Sequence, residues 1–222
     1  MKKVEEYYNL ISEKYDKATS DFNWTAPKEI ESVLKKHNLI EDGLEVLDLG
    51  VGTGQNIEFL QSKNCNIYGV DISEKMLEVA KDKYPNVKIY KYDICEGLSN
   101  LFEKDKFDLI IAGGILEFVK DIDKVFNDVF KIMKQNGHFI FTYEMLILED
   151  KLQNKREQYI SEGYKENIDL DKEFKLYRRQ KEEIERLIIA NNLKIVEHKK
   201  IKAFLKTENR IPVYYGVFLV KK

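Results

Sequence analysis

Two cysteines and three histidines in 222 residues leave little for metal or thiol chemistry. Cys65 and Cys95 show no C-x-x-C spacing and have no histidine nearby, so they read as reduced thiols, with no metal site expected. No apolar run approaches the roughly 20 residues of a membrane span. The opening Met1-Lys2-Lys3-Val4-Glu5-Glu6 turns acidic instead of leading into the apolar stretch of a secretory signal, so a cytoplasmic location is expected. Neither charge sign dominates: 37 basic residues against 39 acidic ones give a net charge of −2. A broad field for nucleic acid is therefore excluded. There is no internal repeat and no proline- or glycine-rich linker, and a chain with 43% hydrophobic and 34% charged residues suits one globular α/β domain.

What the chain does have is a sharp strand-to-turn signal, Val46-Leu47-Asp48-Leu49-Gly50-Val51-Gly52-Thr53-Gly54-Gln55-Asn56. β-formers lead into an acid, then glycines recur at every second position. Such a turn brings backbone N–H groups close to a bound ligand. A dinucleotide site wants G-x-G-x-x-G, and Gln55 stands where its third glycine belongs. Asp48 points the same way: a carboxylate repels a pyrophosphate and favours a cation.

Periodicity supplies the frame. Val4, Tyr8, Ile11 and Tyr15 predict an amphipathic opening helix, broken by Phe22 to Pro27, and Ile30, Val33 and Leu34 predict a second one. Strands are expected at 44–49, 66–70, 87–92, 107–112 and 138–143. Helices are expected at 54–62, 73–83 with Ser73 as N-cap, and 122–133 after which Asn136-Gly137 turns the chain. Residues 145 to about 175, with Gly163, break the rhythm; a helix over 181–191 and two strands, 193–204 and 213–220 around a loop at 207–210, follow. Strict alternation predicts a doubly wound, mostly parallel sheet whose last two strands run antiparallel.

Further acids stand at expected strand ends: Asp71 after the second, about 20 residues past the glycines, where such acids meet ribose hydroxyls, and Asp93 after the third. The fourth runs Leu109-Ile110-Ile111-Ala112-Gly113-Gly114. Ligands of open α/β sheets bind along this edge.

With Asp-x-Gly-x-Gly-x-Gly at 48–54 and the acids behind it, the chain resembles the class I (Rossmann-like) S-adenosylmethionine-dependent methyltransferases of small-molecule type, firmly over 44–144 and in outline over nearly all of its length. The resemblance implies a seven-stranded sheet with an antiparallel last strand and an N-terminal helical lid. It divides a single domain, 1–222, into a lid (1–40), a donor-binding core (44–144), a substrate-side insertion (145–177) and a closing helix with two strands (178–222). S-adenosylmethionine would be the cofactor and S-adenosylhomocysteine its product. Asp48 and Gly50 would lie near the methionine portion, Gly52 and Gly54 would allow close backbone approach, and Asp71 would hold the ribose. Ile72 and Met76 would flank the adenine, whose edge Asp93 and the Ile94 backbone would read. Ala112 and Gly113 would offer a carbonyl to the donor's ammonium, and Tyr15 and Trp24 would cover the donor or simply pack the lid.

The departures narrow the reaction. Ala112-Gly113-Gly114-Ile115 stands where amino-methyltransferases of nucleic-acid bases carry Asn-Pro-Pro-aromatic, and no Pro-Cys pair supports cytosine C5 chemistry. Phe118 replaces the histidine of a Leu-Glu-His segment, removing one candidate base. His37, His138 and His198 read as structural or solvated. Tyr143 and Glu144, ending the fifth strand, are the catalytic candidates, able to orient or deprotonate a nucleophile. The expected function is methyl transfer to an O or N atom of a small-molecule acceptor, with no nucleic-acid or membrane partner. The rivals are a protein or RNA methyltransferase and a non-catalytic donor-binding subunit.

Overall fold

The expected alternation folds into strands β1 (Glu45–Leu49), β2 (Asn66–Asp71), β3 (Lys88–Lys91), β4 (Phe107–Ala112), β5 (Met133–Glu144), β6 (Glu157–Tyr159), β7 (Lys175–Tyr177), β8 (Lys194–Lys206) and β9 (Ile211–Lys221). This computed structural model describes residues 2–159, 174–206 and 210–222; Gly163 with the rest of 160–173 in the 145–175 excursion, and most of the 207–210 loop, lie outside them. Seven strands form one sheet in the order β3-β2-β1-β4-β5-β9-β8, while β6 and β7 pair separately. β1 to β5 run parallel, and β9 lies antiparallel between β5 and β8. The strand order reverses at β1, between β2 and β4, which opens a crevice at the carboxyl ends of those strands.

Alternation along the strands sorts side chains onto two faces. Leu47, Leu49, Ile110, Ala112, Phe139, Phe141 and Tyr143 join the core beneath α5 (Ile122–Ile132) and α6 (Lys181–Ala190). Val46, Leu109, Ile111 and Ile140 join the opposite core beneath α3 (Ala26–Lys36). Thr25 precedes α3 and Pro27 sits in its first turn, as the sequence predicts. Ser73 caps α4 (Glu74–Lys83) through its hydroxyl, which accepts from Met76 N–H at 3.2 Å.

Two expectations are corrected. No α-helix forms over 54–62. N–H groups there reach back only three residues (Gly54 to Val51 O, 2.8 Å; Ile57 to Gly54 O, 3.0 Å; Leu60 to Ile57 O, 2.9 Å), and only Glu58–Leu60 is a short 3₁₀ helix. Ile57 and Leu60, three apart and both fully buried, match the 3₁₀ repeat, in which i and i+3 share a face. The Asn136-Gly137 turn does not precede β5 but lies inside it: Asn136 takes φ +66° where the register against β4 slips.

The opening segment runs α1 (Lys2–Ile11), a 3₁₀ turn and α2 (Tyr15–Asp21), then Trp24. Val4 and Tyr7 form a small cluster with Phe118 and Phe174 apart from the two main cores. Polar contacts tie it to the crevice. Asn9 Oδ1 accepts from Ser73 Oγ (2.8 Å) and Lys75 N–H (3.1 Å), and Asp16 accepts from Thr53 Oγ1 (2.6 Å) and from Lys83. Partial burial raises the Asp16 pKa, but the Lys83 and Thr53 hydrogen bonds outweigh it and hold the carboxyl below its ordinary range.

Candidate active site

β1 delivers Asp48 to the crevice and then must turn at once. Gly50 allows this on one side: a Cβ there would stand 2.9 Å from the Ile115 side chain. Gly52, at φ +53°, faces open space, its nearest neighbour being the Gly50 carbonyl at 3.9 Å from a Cβ position. Gly52 N–H donates to Asp71 Oδ2 (3.0 Å), and Asp71 Oδ1 accepts from Ser73 N–H (2.8 Å). Asp71 therefore joins the glycine turn to the start of α4. Its carboxyl is enclosed although the residue keeps some exposed surface, and burial pushes it up to about 6, the N–H bonds offsetting part of the rise.

Asp48 is fully buried. Its Oδ1 accepts from Asn56 Nδ2 at 3.2 Å, while Oδ2 has no hydrogen-bond partner among the described residues. Burial pushes the carboxyl up to about 8, and the neighbouring Asp71 charge adds to the rise. An ionised, half-satisfied buried carboxylate is costly until a cation answers it. A carboxyl raised in the folded state contributes stability fully below its unfolded pKa of about 3.9 and loses it as pH rises through the folded value. Asp48→Asn is therefore expected to raise the melting temperature of the ligand-free protein, and more at pH 8 than at pH 5. Calorimetry at the two values checks this, and an equal gain at both would show that Asp48 is not held against its charge.

The remaining expected donor contacts gather along the same edge. Ile72 follows Asp71 and buried Met76 lies in the first turn of α4, while Ala112 ends β4 and Gly113 comes directly after it. Ile94 is buried, and Asp93 Oδ1 accepts from Cys95 N–H at 2.9 Å, capping a short 3₁₀ turn after β3. A Cβ on Gly113 would meet Asn56 Nδ2 at 3.1 Å, so Asn56 links the end of β4 to Asp48. Gly54, by contrast, faces Tyr84, whose ring would lie 2.4 Å from a Cβ. Tyr15 packs edge-on to Tyr8, at 6.0 Å between centroids, and Trp24 lies against Gly114.

The two catalytic candidates part company. Tyr143 does not reach the crevice. It falls on the face under α6, stacks on Phe218 and lies across Gly216, with its hydroxyl 3.5 Å from His198 Nε2; burial pushes the phenol upward. The other two histidines also serve packing and surface pairing, His37 against Glu197 at 2.6 Å and His138 half-buried in β5. Glu144, one residue on, takes the opposite face and is buried against Arg178, whose Nε donates to Oε1 at 2.6 Å. Burial pushes the Glu144 carboxyl up, and Arg178 offsets only part of this.

Beside Glu144 lies a group the sequence reading left out. Glu117 is buried in the 3₁₀ turn Leu116–Phe118 after β4, and its Oε1 accepts from the Tyr215 hydroxyl at 2.9 Å. Its Oε2 has no hydrogen-bond partner among the described residues. Arg179 steadies that turn by donating to the carbonyls of Leu116 (3.2 Å) and Lys120 (3.1 Å) and to that of Val119. The one sequence signal was a lone carboxylate in the apolar run Ile115-Leu116-Glu117-Phe118-Val119.

A closed glycine turn, a buried acid awaiting a cation and a second acid on the turn's backbone, all at the switch point of this strand order, define the class I, S-adenosylmethionine-dependent methyltransferase architecture. The chain belongs to the methyltransferase-domain family, whose model matches residues 40–202. Phosphoethanolamine N-methyltransferase 2 of Caenorhabditis elegans is 26% identical over 113 residues, 50% of this chain and 26% of that protein. A ubiquinone/menaquinone biosynthesis C-methyltransferase of Campylobacter jejuni is 30% identical over 149 residues, 61% of this chain and 60% of that protein. The chain thus spans less than two thirds of the length of these curated relatives. Among solved structures, an S-adenosylmethionine-dependent methyltransferase from Methanosarcina mazei superposes with a TM-score of 0.70 at 18% identity, covering 84% of this chain and 95% of that one. Among the described residues no helix is long and apolar enough to cross a membrane, and no cluster of His, Cys, Asp and Glu could hold a metal.

Proposed function

We propose that this protein transfers a methyl group from S-adenosylmethionine to an O or N atom of a small-molecule acceptor in the cytoplasm. The observation that carries the reading is Asp48: a buried carboxylate with one unanswered oxygen, beside a turn that only Gly52 leaves open. Such a group favours the donor's ammonium and sulfonium and disfavours a dinucleotide's phosphates. Asp71 accepts the ribose hydroxyls, Ile72 and Met76 sandwich the adenine, and Asp93 with the Ile94 backbone reads its edge. The carbonyls of Ala112 and Gly113 face the ammonium, and Tyr15 with Trp24 closes the site against water. Bound there, S-adenosylmethionine supplies an electrophilic methyl group whose charge disperses on transfer, so alignment and exclusion of water weigh more than acid catalysis. The lid contributes through Asn9 and Asp16, which fix it to the two elements that grip the donor.

Titration calorimetry tests this directly. S-adenosylmethionine and S-adenosylhomocysteine should both bind, and NAD should not. Heat from NAD with none from either sulfur compound would overturn the reading. Incubation with small-molecule extracts and a donor labelled in its methyl group then separates an enzyme from an idle donor-binding subunit.

A further inference from the structure

We propose that Glu117 is the acceptor-binding carboxylate of this site, and that the acceptor it takes is a primary or secondary amine presented as its ammonium ion. This deepens the methyltransferase reading and rests on it for the position of the donor.

Charge compensation is the first support. Two carboxylates, Glu117 and Glu144, are buried together at the end of the sheet, each with 3% of its surface exposed. Glu144 has its cation in Arg178, which is itself buried. Glu117 does not. The Arg179 guanidinium turns its terminal N–H groups to the carbonyls of Leu116, Tyr177, Val119 and Lys120. That leaves one Glu117 oxygen on the Tyr215 hydroxyl and the other without a hydrogen-bond partner among the described residues. A buried carboxylate in this state is driven toward its neutral form unless a hydrogen-bond donor or a cation answers it.

Position and surroundings are the second support. Glu117 follows the Gly113-Gly114 pair that ends β4, and its Oε1 lies 3.8 Å from where a Cβ on Gly114 would stand. The Trp24 ring lies 2.9 Å from the same point and meets Tyr215 edge-on at 5.4 Å between centroids. A carboxylate flanked by two aromatic rings is a setting that favours a cation. An anionic acceptor would meet the Glu117 carboxylate, and a neutral hydroxyl would satisfy its lone oxygen without balancing its charge.

The chemistry follows from the same atoms. As the acceptor's N–H bond breaks, its proton passes to Glu117 Oε2, and the electron pair left on nitrogen becomes the nucleophile; the proton then leaves to water. The titratable and charged groups facing Glu117 are Glu144 from β5, Tyr215 from β9, and Arg179 from the segment between β7 and α6. Burial pushes the Glu117 carboxyl up to about 7; its own backbone N–H, Tyr215 and Arg179 oppose the rise and Glu144 adds to it. Affinity for an ammonium ion should therefore fall as pH drops below 7.

The test uses the full chain, with and without S-adenosylhomocysteine, and calorimetry at pH 8 with benzylamine, 2-phenylethylamine and butylamine, each against its hydroxyl counterpart. At least one amine should bind about tenfold or more tighter than its alcohol, and Glu117→Gln should erase that preference. The variant should keep the S-adenosylhomocysteine affinity of the parent and melt no lower than it, since an amide relieves the buried charge as at Asp48. The amine–alcohol comparison on the unaltered chain needs no variant, so misfolding of Glu117→Gln leaves the proposal exposed. It is overturned if no amine outbinds its alcohol, if the variant keeps the preference, or if the variant loses S-adenosylhomocysteine binding, which would place Glu117 on the donor. Failure of the parent to bind S-adenosylhomocysteine would count against the donor site alone.

Discussion

Asp71→Ala is expected to weaken S-adenosylmethionine binding by about 1.5–3 kcal/mol, roughly 10- to 150-fold, the range for hydrogen bonds to a charged group. Two losses combine. The ribose would lose its acceptor, and the Gly52 and Ser73 N–H groups would lose the carboxylate that now joins them across the crevice at 3.0 and 2.8 Å. Because Ser73 keeps its own capping bond to Met76 N–H, α4 should survive and the protein should remain folded. Calorimetric titration of the variant, with circular dichroism to confirm the fold, decides the matter. An unchanged affinity would reduce Asp71 to a turn residue.

The largest effect on stability is expected from Arg178→Met. Arg178 and Glu144 are both buried, and the guanidinium also donates to the Lys155 carbonyl (3.1 Å) and to Gln158 Oε1 (2.7 Å). Removing the cation strands Glu144 beside Glu117, a second buried carboxyl whose charge repels it. Breaking such a pair from one side costs about 3–5 kcal/mol. Glu144 is held above its ordinary range even with Arg178 present. Its charged form is therefore the one penalised, and the loss should be greatest at neutral and higher pH, shrinking as pH falls toward the ordinary glutamate value of about 4.3. Urea unfolding across that range measures it, and the paired variant Glu144→Gln/Arg178→Met should recover much of the loss. A pH-independent deficit, or no recovery, would show that packing rather than charge is at stake.

The carboxyl edge of β1 to β4 was legible because its signals are local. The acid before the glycines, the acids at the ends of β2 and β3, and the Ser73 cap each depend on a few neighbouring residues, and the structure brings them to one crevice. Less legible were features decided by distant partners. Whether residues 54–62 coil as an α-helix or as tighter turns depends on where Ile57 and Leu60 must bury, which no local pattern states. Tyr143 and Glu144 are adjacent in sequence, yet alternation along β5 sends one under α6 and the other toward Glu117. Glu117 itself acquires meaning only when β9 brings Tyr215 to it across 98 residues and the segment before α6 brings Arg179 to the neighbouring Leu116 carbonyl across 63.

The place of β9 has a consequence for how the chain assembles during synthesis. β9 is made after β8 yet lies inside it, as the bridge to β5. When β1 to β5 have left the ribosome, β5 is an unpaired edge carrying Phe139 and Phe141, side chains that end up fully buried. Such an edge is a template for pairing with another chain. β9 seals that edge by pairing with β5, and Tyr215 travels on β9. The donor half of the crevice can thus take shape on the nascent chain, whereas the surroundings of Glu117 are completed only at the final docking step.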